Sequence, residues 1–387
     1  MKYEFDRLPD RRGTYSSKWH VKPGELPMWV ADMDFEVCPE VRETLQQFLD
    51  QKVYGYSDLP DRWEKSYIDF YWKRHQLAIP QGSLLFSQGV VPTISSTIRE
   101  LSKPGEQVAV LVPNYHIFYH SILNDGRVIR PIRMSLMASG YQIDWSALEE
   151  AFKDPRCPVF LFSNPANPFG SIFTAADLQR IGELSNRFGK FVISDEIHGE
   201  ITEPGYSYNP YFKVSEAGKK YGVVCLSPTK AFNIAGLQTS SVLVEDEKLR
   251  ARMAFALNRD ELMEGNFFSY AVSIACFDKG EAWLDQMRDY VFKNRRIAED
   301  YIDREIPELC YAKAHATYLM WIDATALPKA GEFASFLREK TGLYLSDGSV
   351  FGEDGKGFLR MNLATSKELL RDGLQRLKEG VRLAVAR

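Results

Sequence analysis

Val223-Val224-Cys225-Leu226-Ser227-Pro228-Thr229-Lys230 is a four-residue apolar run that ends on two hydroxyls, a proline and a lysine. The run has the length and branching of a buried strand, which puts Lys230 just past a strand's C-terminal end. Burial disfavours the charge on a lysine and lowers its pKa, and this makes the amine nucleophilic enough for a Schiff base with an aldehyde. The hydroxyls of Ser227 and Thr229 beside it suit a phosphate. Taken alone, a surface lysine in a turn is the simpler account of this stretch, so the surrounding pattern has to decide.

Runs of the same kind recur at 107–112, 158–162, 191–194 and 241–244, with amphipathic stretches between them. The clearest stretch starts at Thr174 with Asp177 three residues on, a capping-box signature, and places Leu178, Ile181, Leu184 and Phe188 on one face before Gly189. Strands alternating with helices predict an α/β fold with a mostly parallel sheet sandwiched by helices, and ligands bound beyond the strand C-termini. Past residue 285 the texture changes to a long charged helix over 282–303, a strand over 318–322 and helices near Glu332 and Lys367. These predict a smaller α+β domain. The expected division is a large domain over 46–285 and a small one built from 1–45 and 286–387.

The chain has 387 residues with 48 Lys and Arg against 52 Asp and Glu, a net charge of −4 with no basic block, which argues against nucleic acid as a partner. A hydrophobic share of 45% with 26% charged residues fits a globular protein and excludes disorder as its governing state. No apolar run approaches the roughly 18 residues that span a bilayer, and the first residues are charged where a signal peptide would be apolar. A soluble, cytoplasmic protein is expected. Its cysteines, Cys38, Cys157, Cys225, Cys276 and Cys310, form no C-x-x-C pair and are expected to be buried thiols rather than a disulfide framework or a zinc site.

Three further stretches join Lys230. The run over 191–194 delivers Asp195-Glu196-Ile197-His198 at a strand end, where a buried carboxylate needs a cation to stay ionised. A pyridinium nitrogen is such a cation: at an effective dielectric near 20 and ~4 Å the pair gains roughly 4 kcal/mol before desolvation, about three pKa units. A helix N-cap is the structural alternative for Asp195. Asn164-Pro165-Ala166-Asn167-Pro168-Phe169-Gly170 sets Asn side chains in a turn at another strand end, where Asn167 can donate to a phenolic oxygen. Gly89-Val90-Val91 at a helix start offers free N–H groups to a phosphate, and Tyr115 follows the strand over 107–112, placed to stack on a ring.

This ordered set, with Arg360, resembles the fold-type I pyridoxal-phosphate enzymes of the class I/II aminotransferase superfamily, whose large domain is like that of aspartate aminotransferase, with a seven-stranded type of sheet. Pro27-Met28-Trp29-Val30-Ala31-Asp32-Met33-Asp34-Phe35, Ser194 through His198, Asn233-Ile234-Ala235-Gly236-Leu237, Gly280-Glu281-Ala282-Trp283-Leu284-Asp285 and Phe358-Leu359-Arg360-Met361-Asn362 are similar to the MalY/PatB cystathionine β-lyases, or C–S lyases, from about residue 3 to residue 380. The resemblance implies pyridoxal 5'-phosphate as cofactor, Lys230 as its Schiff-base lysine, Asp195 on the pyridine nitrogen, Asn167 and His198 near the ring oxygen and Tyr115 on the ring. It implies Ser227 and the Val90 and Val91 amides for the phosphate, with Tyr56 reaching the phosphate of a second subunit in a homodimer. Arg360, helped by a backbone amide near Ala31, would clamp the substrate carboxylate.

The implied reaction is carbon–sulfur β-elimination from cystathionine or related S-substituted cysteines, giving thiol, pyruvate and ammonia. Lys230 would move the Cα proton, and the Tyr115 hydroxyl is a candidate acid for the leaving thiolate. An aminotransferase shares every one of these residues, and a non-catalytic regulator can use the same fold. His116 and His120, spaced i and i+4, lack the glutamate of the zinc-protease pattern. Four positions depart from the relatives: Gln238 stands where many keep Lys or Arg for the phosphate, Glu200 replaces an aspartate, Tyr208 lies in a segment expected at the mouth of the site, and Asp354 interrupts a glycine-rich turn before Arg360.

Overall fold

The structure, a computed structural model, describes residues 2–137 and 140–386. Eight strands form the main sheet: β1 (Leu84–Ser87), β2 (Gln107–Val112), β3 (Val128–Met137), β4 (Gly140–Ile143), β5 (Val159–Ser163), β6 (Phe191–Asp195), β7 (Gly222–Leu226) and β8 (Ser240–Leu243). Their spatial order is β1-β8-β7-β6-β5-β2-β3-β4. From β7 to β3 all pairings are parallel, β8 runs against both its neighbours, and β4 adds to β3 as a hairpin. Seven strands thus carry the sheet and the hairpin supplies an eighth. Buried apolar side chains from β2, β5, β6 and β7 feed clusters on both faces, as expected of parallel strands covered by helices.

The helix over Ala175–Phe188 has the predicted capping box, with Thr174 and Asp177 satisfying each other's backbone N–H groups, and ends at Gly189 in the left-handed region at φ +63°. A second, antiparallel sheet holds β9 (Cys310–Tyr311), β10 (Leu319–Asp323), β11 (Ser346–Asp347) and β12 (Phe358–Asn362) in the order β9-β10-β12-β11. Its core joins Leu26 and Met28 to residues from Ala298 to Ala384. The 25-residue helix Glu281–Glu305 serves both cores, giving Trp283, Leu284 and Met287 to the main one and Ala298 and Ile302 to the second.

All five cysteines are free; four are buried, but Cys310 is exposed, contrary to expectation, because β9 is a two-residue edge strand. Among the described residues no helix is long and apolar enough to cross a membrane.

Candidate active site

Parallel strands stop together, and the ends of β5, β6 and β7 bring their next residues to one place. In register, Ser163 lies opposite Asp195, and Asp195 opposite Cys225. A cavity of about 240 Å³ opens there, and Lys230, Asp195, Asn167, His198, Tyr115, Ala31, Val90 and Val91 all line it. Apolar walls with a few converging polar groups are the usual make-up of a small-molecule site.

Asp195 is buried, and its carboxylate accepts one backbone N–H, from Ile197 at 3.1 Å. Burial pushes its pKa up to about 7, with the Ile197 bond and Lys230 opposing. Lys230 shifts the other way, to about 8, first through burial, with Arg360 adding to it and Asp32 and Asp195 opposing. Its Nζ donates to the Ala31 carbonyl at 2.7 Å, which also accepts from the Tyr318 hydroxyl at 3.1 Å. His198 is buried beside the Tyr318 ring, and burial, then the charges of Lys230 and Arg360, lower its pKa to about 3. It is a neutral ring at pH 7, and its buried Nδ1 has no partner among the described residues.

The helix Val90–Leu101 begins at the cavity with no side chain capping it, so the Val90 and Val91 N–H groups are free at its positive end; Pro92 has none to offer. Thr229 and Thr239 also line this end. Ser227 stands behind them: its hydroxyl donates to the Thr239 carbonyl at 2.8 Å and lies 2.7 Å from the Thr229 hydroxyl. Gln238 faces the cavity with its backbone at φ +49°.

Arg360, on β12, reaches the site from the second sheet. Its Nη1 donates to Asn167 Oδ1 at 3.0 Å and its Nη2 to the Trp29 carbonyl at 3.0 Å, while the guanidinium lies 4.7 Å from the Phe351 ring centre. It is buried, its Nε has no partner among the described residues, and burial pulls its pKa down to about 10. A buried guanidinium with no carboxylate beside it is a receptor for one. Arg360, Lys230, Tyr115 and Ala31 also line a second cavity of about 590 Å³ that leads outward past Trp29 and Tyr344. Burial raises the Tyr115 pKa, keeping its hydroxyl protonated.

Tyr56 is fully exposed and lines neither cavity. Glu200 and Tyr208 line neither: Glu200 is buried in an ion pair with Arg74 at 2.9 Å and a hydrogen bond with His75 Nε2 at 2.6 Å, and Tyr208 packs edge-on to His75. The segment expected at the mouth is therefore a buried prop in its Tyr208 part. Asp354 lies 3.6 Å from Arg133. Sequence reasoning missed Ser163, whose hydroxyl accepts the Asn167 N–H at 3.1 Å, and Tyr318, which faces His198. Ser163 ends the same strand that delivers Asn167, a signal that was present in the sequence.

The family model for aminotransferase class I and II matches residues 26–377. Cystathionine beta-lyase PatB of Bacillus subtilis is 35% identical over 382 residues, 97% of this chain and 98% of that protein. Among solved structures, a PLP-bound putative aminotransferase from Clostridium difficile superposes with a TM-score of 0.95 at 34% identity, over 98% of this chain and all of that one. Cystalysin from Treponema denticola, which contains a pyridoxal 5'-phosphate cofactor, gives 0.94 at 30% identity over 99% of both chains. The strand-end lysine and aspartate, the uncapped helix start and the unpaired arginine thus sit in a fold shared along nearly its whole length with these proteins, and the chain belongs to the class I and II aminotransferase family.

Proposed function

We propose that this protein is a pyridoxal-phosphate-dependent C–S β-lyase that splits S-substituted cysteines into thiol, pyruvate and ammonia. One observation carries the reading: Lys230, Asp195 and the carboxylate-free Arg360 converge where the two cavities meet. The full-length similarity to the cystathionine beta-lyase PatB favours the lyase over an aminotransferase.

The residues present fit the cofactor. Among the described residues the buried Asp195 has a single backbone donor and no ion-pair partner, and a protonated ring nitrogen would supply the cation. Lys230 would hold the aldehyde carbon, Asn167 and the neutral His198 the ring edge, and the Val90 and Val91 amides with Thr229 the phosphate, Ser227 orienting Thr229 from behind. When bound, the cofactor supplies an electron-withdrawing ring that stabilises negative charge at the substrate Cα.

The chain's own groups do the rest. Arg360, which lines the outer cavity, takes the substrate carboxylate and fixes the orientation of the Cα–H bond. Lys230, with its lowered pKa, is a competent base for that proton near neutral pH. The protonated Tyr115 hydroxyl, on the wall shared by both cavities, is placed to supply a proton to the departing sulfur.

A homodimer completes the site in this reading. Val53, Tyr54, Tyr56 and Leu59 are exposed on one coil segment, and a second copy would bury them and bring Tyr56 to its neighbour's phosphate. Free thiols throughout fit a reducing, cytoplasmic setting. Thiol release and amino-acid consumption from S-methyl-L-cysteine by the holoenzyme, with and without an added 2-oxo acid, test the reaction: one thiol per amino acid consumed, at equal rates, is expected, and consumption that needs the oxo acid and frees no thiol would mean an aminotransferase.

A further inference from the structure

The wall of the outer cavity is built around a stacked pair, Trp29 and Tyr344, whose ring centres are 4.8 Å apart at 19°. Backbone pairing fixes the stack: Pro27 is in register with Tyr344, and the Met28 N–H donates to the Tyr344 carbonyl at 2.9 Å. The indole N–H donates to the Lys18 carbonyl at 3.4 Å, which occupies its one polar atom. The Trp29 carbonyl accepts from both Arg360 and Ser346, so the aromatic wall is tied directly to the guanidinium that receives the substrate carboxylate.

The charges farther along this cavity do not favour an anion. Arg338 lies 3.7 Å from the Tyr344 ring centre, but its Nε and Nη2 donate to the two Glu25 carboxylate oxygens at 2.8 and 2.9 Å. Asp347 adds a negative charge to the lining. Burial, then the charge of Arg360, lowers the His116 pKa to about 4, so this ring is neutral at pH 7. Once Arg360 holds the substrate's own carboxylate, a second carboxylate meets Asp347 and an arginine already neutralised.

We propose that the outer cavity receives the substituent on sulfur and selects an uncharged aromatic or branched group over one that carries a second carboxylate, with Trp29 and Tyr344 as the specificity-determining pair. The inference rests on the C–S β-lyase reading and narrows its substrate class. It puts simple aryl and alkyl cysteine thioethers ahead of cystathionine, which ends in a second amino-acid group.

The test measures kcat/KM of the holoenzyme, by pyruvate release, for S-benzyl-L-cysteine, S-methyl-L-cysteine and L-cystathionine. S-benzyl-L-cysteine should exceed L-cystathionine by about tenfold or more, and Tyr344→Ala should lower the benzyl-to-methyl ratio about tenfold while Tyr344→Phe keeps it. Glu25→Gln, which releases Arg338, should raise the cystathionine-to-methyl ratio severalfold. A wild-type preference for cystathionine, or a benzyl-to-methyl ratio unmoved by Tyr344→Ala, would overturn the proposal while leaving the lyase reading intact. No pyruvate from any of the three would overturn the lyase reading itself.

Discussion

Asp195 in the cofactor-free protein is a carboxylate held where water cannot solvate it, so its use and its stability oppose each other. Its folded pKa of about 7 lies above the ordinary 3.8, so between those values the unfolded chain has released a proton that the folded one keeps. Stability is thus present below the unfolded value and is lost as pH rises towards 7, by roughly 4 kcal/mol in all. Cofactor-free Asp195→Asn should therefore outlast the wild type at pH 8 by roughly 2–4 kcal/mol in urea denaturation, and lose that advantage once cofactor is added. Equal midpoints would contradict this. Lys230→Ala should cut pyruvate release at least ~1,000-fold, and capture of cofactor by wild-type apoprotein, followed by absorbance, should quicken as pH rises through about 8 and the amine becomes neutral. Lys230, Asp195 and Asn167 were legible in the sequence because each follows a short apolar run that reads as a strand. Tyr318 and the placing of Ser227 behind Thr229 were not, since only the packed structure decides which side chain at a strand end faces the cavity.

The segment over 27–35 shows why several motifs that mark the resemblance occur together. Asn362 Nδ2 donates to the Val30 and Asp32 carbonyls at 2.7 and 2.8 Å, and Asn233 Nδ2 to the Phe35 carbonyl at 2.8 Å. Lys18, itself buried, pairs with Asp34 at 2.8 Å. Three distant parts of the chain thus pin the irregular backbone that presents Trp29 and Ala31 to the site. Asn362→Ala should cost about 2–3 kcal/mol and raise KM for every substrate, because the backbone that presents Trp29 and Ala31 to the site loses two hydrogen bonds. Thr174→Ala, in a capping box remote from both cavities, should cost about 1 kcal/mol on denaturation and leave kcat/KM unchanged. The buried parallel strands were readable as continuous apolar runs, but β3 was not: Arg130 and Arg133 alternate with apolar residues and Pro131 interrupts them, the pattern of a strand near the sheet's edge. β1 is a four-residue edge strand, too short to stand out.

At the scale of the whole molecule, the site exists because two sheets meet: strand ends of the first carry Lys230, Asp195 and Asn167, and β12 of the second carries Arg360 to within 3.0 Å of Asn167. Distance in sequence hides this contact, which spans 193 residues; the resemblance placed Arg360 in the site, but not its bond to Asn167. The exposed coil with Val53, Tyr54 and Tyr56 makes a prediction at the same scale. Replacing all three with serine should convert a dimer to a monomer in sedimentation and weaken cofactor binding at least about tenfold, if a second copy both buries the patch and supplies Tyr56. An unchanged dimer with unchanged cofactor affinity would place the interface elsewhere. The most direct measurement of the central claim counts thiol and pyruvate released per Lys230 site when the holoenzyme is saturated with S-benzyl-L-cysteine in the absence of any 2-oxo acid. Equal amounts of both, many per site, are predicted. No thiol, with the cofactor converted once to its amine form, would contradict the account and show that the amino group stays on the enzyme.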